Sequence, residues 1–117
     1  MLKTLHKISS ILLIALGAVH TALTPVFYGR FSLNALWFAG SGLAMLFVGF
    51  LNITLGRAVG RDRLVRLLCY AANLLTVFFG FLIVTQDREP QVIFGLVLIV
   101  VMTATAFMIR GAGHRPE

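Results

Sequence analysis

Four stretches of this chain pass without a single Asp, Glu, Lys or Arg: residues 8–29, 31–56, 67–86 and 90–109. Each reaches about the 20 residues that a helix needs to cross the hydrocarbon core of a bilayer. A soluble domain carries roughly a quarter charged residues, whereas this chain carries 12%, with 59% hydrophobic residues. The runs are continuously apolar and do not alternate with polar residues, which argues against membrane β-strands. The expected fold is an all-α integral membrane protein. A single domain over 1–117 would hold four transmembrane helices, at about 8–24, 34–55, 63–85 and 91–109, as two antiparallel hairpins.

The two hairpins are divided by residues 56–66, GRAVGRDRLVR, which hold five of the formal charges. Four arginines packed this densely stay in water or among lipid headgroups. Lys3 and Lys7 precede the first segment, and Arg57, Arg61, Arg63 and Arg66 lie between the second and third. Arg110 and Arg115 follow the fourth, and only Arg30 and Arg88 fall in the other two connections. The positive-inside rule then puts both termini and the 56–66 loop in the cytoplasm and specifies one orientation. A bacterial inner membrane is the expected location for so small a polytopic protein.

The net charge of +6 would fit a nucleic-acid partner, but the basic residues sit at the ends of apolar segments, where they set topology and meet lipid phosphates. The expected partner is the bilayer, with no nucleic acid. One cysteine, Cys69, excludes an internal disulfide and a cysteine-built metal site. The start, MLKTLHK followed by ISSILLIALGA, has the form of a signal peptide with a weak cleavage site at Ala15-Leu16-Gly17. The apolar run continues to Phe27, so the first helix is expected to be retained.

Pro25 breaks the first segment after Thr24, because proline lacks a backbone donor and biases the residue before it away from helix. The aromatic residues Phe27, Tyr28, Phe31 and Trp37 suit an interfacial belt. In the second segment Ala35, Gly42, Gly49 and Gly56 recur every seven residues. Such a stripe lets another helix approach closely. That helix belongs either to a second copy or partner subunit, or to the first or third segment of the same chain. In the third segment Cys69, Asn73, Thr76 and Gly80 share a stripe, and Asn52 and Asn73 are placed to bond across it for about 0.6 kcal/mol. Pro90 suits a helix start. The fourth segment, mostly Val, Ile, Leu and Phe, is the expected lipid-facing helix.

His20 is the strongly titratable side chain inside the segments as bounded above, and such groups are costly in lipid and often functional. Its readings are a haem or metal ligand, a proton acceptor, a hydrogen-bond donor to a quinone-like headgroup, or an imidazole bonded near the interface. Thr24, Tyr28, Arg30, Trp37, Asp87 and Arg88 fall toward the same membrane face and complete a candidate ligand site. No second histidine shares the depth of His20, since His6 and His114 belong to the other side, so no metal site is expected. A two-histidine haem would need two subunits. The sequence names no cofactor.

HExxH, GxSxG, a Walker glycine loop and CxxC are all absent from the sequence, which argues against an enzyme. In size and helix number the chain is similar to the small multidrug-resistance exporters and the small fluoride channels. It departs from those exporters where they carry a glutamate in the first helix, since 11–18 is purely apolar here. The expected function is that of a non-enzymatic membrane protein, a homo-oligomer or accessory subunit of a larger complex, holding a lipid- or quinone-like ligand near His20. The alternatives are a small channel or transporter, a haem-binding protein and a lipid-modifying protein.

Overall fold

The computed structural model describes residues 1–112, and these are helical nearly throughout, with no strand among them. His114 and Arg115, counted above with the basic end, lie outside the described residues. Helix α1 spans Leu2–Ala22, a one-turn α2 spans Thr24–Phe27, and α3 spans Leu33–Leu55. A 3-10 turn, Ala58–Arg61, leads into α4, Arg63–Gln86, and α5 covers Pro90–Ala112. The four long helices α1, α3, α4 and α5 are each long and apolar enough to cross a membrane. This is a helical bundle of an integral membrane protein.

The helix ends follow local chemistry. Ser32 Oγ accepts from Ala35 N–H at 3.2 Å and caps α3. Asp62 Oδ1 accepts from Leu64 N–H and Val65 N–H at 2.9 and 3.1 Å and caps α4. Pro90 opens α5, where its missing donor removes nothing. The largest difference from the expected boundaries is at α1, which starts at Leu2 and not near 8. Lys3 and Lys7 lie exposed on its outer side, and long basic side chains of this kind reach water while their stems stay on the helix. The two lysines therefore do not end the helix, and they carry His6 into it.

α1 packs most extensively on α3, and α4 on α5, with α5 also lying against α1. The α1–α3 contact is backbone to backbone. A Cβ built on Gly17 would fall 2.7 Å from the Gly42 carbonyl oxygen, and one on Gly42 would run into Thr21 Oγ1. Thr21 Oγ1 donates to the Gly17 carbonyl at 2.9 Å and reaches the Ala39 carbonyl of α3 at 3.5 Å. Gly49 is likewise closed by Ile14 and Ser10. Ala35, Gly42 and Gly49 are all buried, so this stripe is covered inside the chain by α1. Gly56 leaves the stripe and ends the helix as its C-cap.

α5 corrects one expectation. It is the most buried of the four spans, at 39% of its most apolar window against 28, 28 and 22% for α1, α3 and α4. It lies between α1 and α4, and Gly95 meets Leu16 while Leu96 meets Gly80. The least buried span is α4. Two apolar clusters form the core. Leu13, Val48, Ile99 and Met102 make one, and Leu55, Cys69, Tyr70 and Ala106 make the other, nearer the 56–66 connection.

Candidate functional site

Among the described residues, seven buried polar ones, His6, Ser9, Ser10, Asn52, Asn73, Thr103 and Thr105, come from all four long helices. They form a layer between the two apolar clusters: Asn52 lies between Val48 and Leu55, Asn73 between Tyr70 and Val77, and the threonines between Met102 and Ala106. Asn52 is its hub. Its Nδ2 donates to the Val48 carbonyl at 2.7 Å and to Asn73 Oδ1 at 2.7 Å. Its Oδ1 accepts from Asn73 Nδ2 at 2.9 Å and bonds His6 Nε2 at 3.0 Å.

Those partners fix the protonation pattern. A carbonyl only accepts, so Nδ2 of Asn52 must face Val48, and Oδ1 is left for the other two groups. His6 Nε2 therefore carries a hydrogen and donates it. Both hydrogens and both lone pairs of the Asn52 amide are occupied. Ser9 Oγ and Ser10 Oγ donate back to the His6 carbonyl at 3.0 and 2.7 Å, and Thr105 Oγ1 donates to the carbonyls of Val101 and Met102. Thr103 Oγ1 is buried without a hydrogen-bond partner among the described residues. Apolar side chains close this layer above and below, and it locks the register of α1, α3 and α4.

His20 is held differently. It is half-buried near the end of α1, and its ring stacks on Phe38 of α3 at 3.8 Å between centroids, with 19° between planes. Its Nε2 lies 3.4 Å from Ser41 Oγ, a long contact beside the 3.0 Å bond of His6. The Ser41 hydroxyl has one hydrogen and lies 2.9 and 3.1 Å from the Phe38 and Trp37 carbonyls. With that hydrogen on a carbonyl, the serine oxygen only weakly occupies the imidazole, which also meets the Phe38 backbone carbonyl. Phe27 and Tyr28 flank Phe38 at 5.8 and 5.4 Å.

The structure thus gathers His20 and Tyr28 around Phe38, and Thr24 Oγ1 reaches the His20 carbonyl at 3.4 Å. Trp37, 71% exposed, and Arg30 stand outward at the same end. Asp87 and Arg88 are exposed in the α4–α5 turn. There Asp87 Oδ1 accepts from Glu89 N–H at 3.0 Å, and Gln91 bonds the Glu89 carboxylate. No hydrogen bond or ion pair joins Asp87 or Arg88 to His20 among the described residues. On α4, Thr76 Oγ1 donates to the Ala72 carbonyl of its own helix at 2.6 Å, and Gly80 receives Leu96.

Sequence reasoning missed Phe38, Ser41 and the buried His6. Ser41 lies seven residues after Asn34 and offers no pattern, but His6 had a signal in the spacing His6, Ser9, Ser10, Leu13, Gly17 along one helical face. Among the described residues no three His, Cys, Asp or Glu side chains converge as a metal site would require. The chain matches no protein-family model, no curated protein and no solved structure.

Proposed function

We propose that this protein is a non-enzymatic subunit of a bacterial inner membrane that holds the polar head of a lipid- or quinone-like molecule at His20. In this reading α1 and α3 form one antiparallel hairpin, α4 and α5 form the other, and both termini face the cytoplasm with the 56–66 connection. The excess of lysine and arginine at that end of the sequence supports the orientation. The protein would work as an accessory subunit or homo-oligomer. Its glycine stripe is already covered by α1, so association would use other faces.

The observation that carries the ligand reading is the contrast between the two histidines. His6 is fully buried and closely bonded, whereas His20 is half-buried and stacked on Phe38, with a 3.4 Å contact to Ser41 and an interaction with the Phe38 backbone carbonyl. An imidazole in that setting can offer its N–H to a carbonyl or ester oxygen while Phe38, Phe27 and Tyr28 line the ligand's ring or chain. A channel or transporter needs polar groups at successive depths, and the buried polar side chains described here lie at one level, which weighs against that reading.

Native mass spectrometry of protein released gently from its own membranes tests the proposal. A small-molecule adduct on the wild type that is lost in His20→Ala and weakened in Ser41→Ala is expected. The same adduct on wild type and His20→Ala, or none on either, would sink the ligand reading.

A further inference from the structure

Among the described residues, cationic and apolar side chains meet in a hollow at the start of α4. About 210 Å³ in volume, roughly that of seven waters, it is lined by Arg63, Arg66, Leu67 and Tyr70. These residues are spaced i, i+3, i+4 and i+7 along the first two turns of α4, so they form one stripe of its surface. The stripe is graded. Two guanidiniums stand at the helix start, an exposed leucine follows, and then comes the Tyr70 ring, which stacks on Phe107 at 4.4 Å.

Among the described residues, no side chain engages these arginines. Neither has an ion-pair partner among the described residues. Asp62, the single acid of 56–66, turns Oδ1 toward the N–H groups of Leu64 and Val65 as the helix cap. It thereby occupies the Leu64 and Val65 backbone donors, and the guanidiniums stand beside them as donors for a ligand. Two guanidinium forks suit the oxygens of a phosphate. The passage from charge to leucine to aromatic ring along a membrane-spanning helix matches a molecule whose phosphate sits at the interface and whose chain runs inward.

We propose that this hollow is a binding site for the phosphate of an anionic phospholipid, with the first part of an acyl chain lying along exposed Leu67 and reaching only the edge of the buried Tyr70 ring. A phosphodiester with no headgroup cation to neutralise it is the recognised chemistry, and the apolar floor selects a lipid over free phosphate. The site is on the opposite end of the bundle from His20 and is independent of any ligand there.

The test is a titration of the full chain in detergent with phosphatidylglycerol and with phosphatidylcholine, read by native mass spectrometry. Wild type is expected to prefer phosphatidylglycerol, and R63Q/R66Q to lose about 30-fold of that affinity, the equivalent of about 1 kcal/mol for each basic contact. The control pair R57Q/R61Q removes the same charge outside the hollow and is expected to keep the preference. R63K/R66K, which keeps the charge, is expected to retain part of it. Equal losses in the two glutamine pairs would overturn the site in favour of diffuse charge attraction. A loss in R63K/R66K as deep as in R63Q/R66Q, or no preference in wild type, would also overturn it. Displacement of the lipid by millimolar inorganic phosphate would assign the hollow to the free ion and overturn the lipid reading.

Discussion

Replacing Asn52 by leucine is the most informative perturbation of this bundle. The substitution removes three interhelical hydrogen bonds, one to His6 and two to Asn73. At about 0.6 kcal/mol for an average interhelical bond in a membrane, the bonds themselves account for roughly 2 kcal/mol. The partners left behind add to this, because His6 is 2% and Asn73 0% exposed, and a buried polar group without a partner costs about 1–3 kcal/mol. With two groups stranded, Asn52→Leu is therefore expected to destabilise by about 4–8 kcal/mol. Asn73→Leu should cost only about 1 kcal/mol, since Asn52 keeps both His6 and the Val48 carbonyl. The double variant should be no worse than Asn52→Leu alone, because it removes the stranded Asn73 amide. Reversible unfolding in mixed micelles with added dodecyl sulfate measures all three. Equal costs for the two single variants, or a double variant equal to their sum, would refute the hub role of Asn52.

Two further outcomes are expected. Gly42→Ala should destabilise by about 1–3 kcal/mol in the same assay through overpacking against Thr21 and the Gly17 carbonyl. Gly40→Ala, on the same helix with nothing within 4 Å of its added Cβ, should be neutral or stabilising by up to about 1 kcal/mol, and equal losses at the two positions would contradict the α1–α3 contact. A reporter enzyme fused after Glu117 should be active only in its cytoplasmic form, and activity outside would reverse the proposed orientation.

The four spans were legible because the bilayer imposes length and apolarity on any helix that crosses it. Ser32, Asp62 and Pro90 mark helix starts that the pattern could find. The polar layer was legible only in part. Asn52 and Asn73 stand out in apolar runs, but Lys7 hid His6 by suggesting that the helix had not yet begun. A lysine on the outer side of a helix carries its charge to the surface without breaking the backbone pattern. The inward position of α5 was hidden for another reason. Lipid chains are as apolar as leucine, so hydrophobicity does not separate a helix facing lipid from one facing protein. The small and polar residues Gly95, Thr103, Thr105 and Ala106, all buried, were the better guide. Phe38 and Ser41 gained their importance from His20 on another helix, a proximity that spacing along one segment does not report.

The layer joining His6 to Asn52 also sets an order of events during synthesis. His6 leaves the ribosome 46 residues ahead of Asn52, which at 5–20 residues per second is a delay of about 2 to 9 s. The Gly17–Gly42 contact needs a shorter stretch of nascent chain and is the earlier one that α1 and α3 can complete. The amide bridge waits a further 21 residues, until Asn73 has been made. The glycines come first and the hydrogen bonds last, so the growing chain has a dry seam to hold α1 in place before its buried histidine finds the partner that satisfies it.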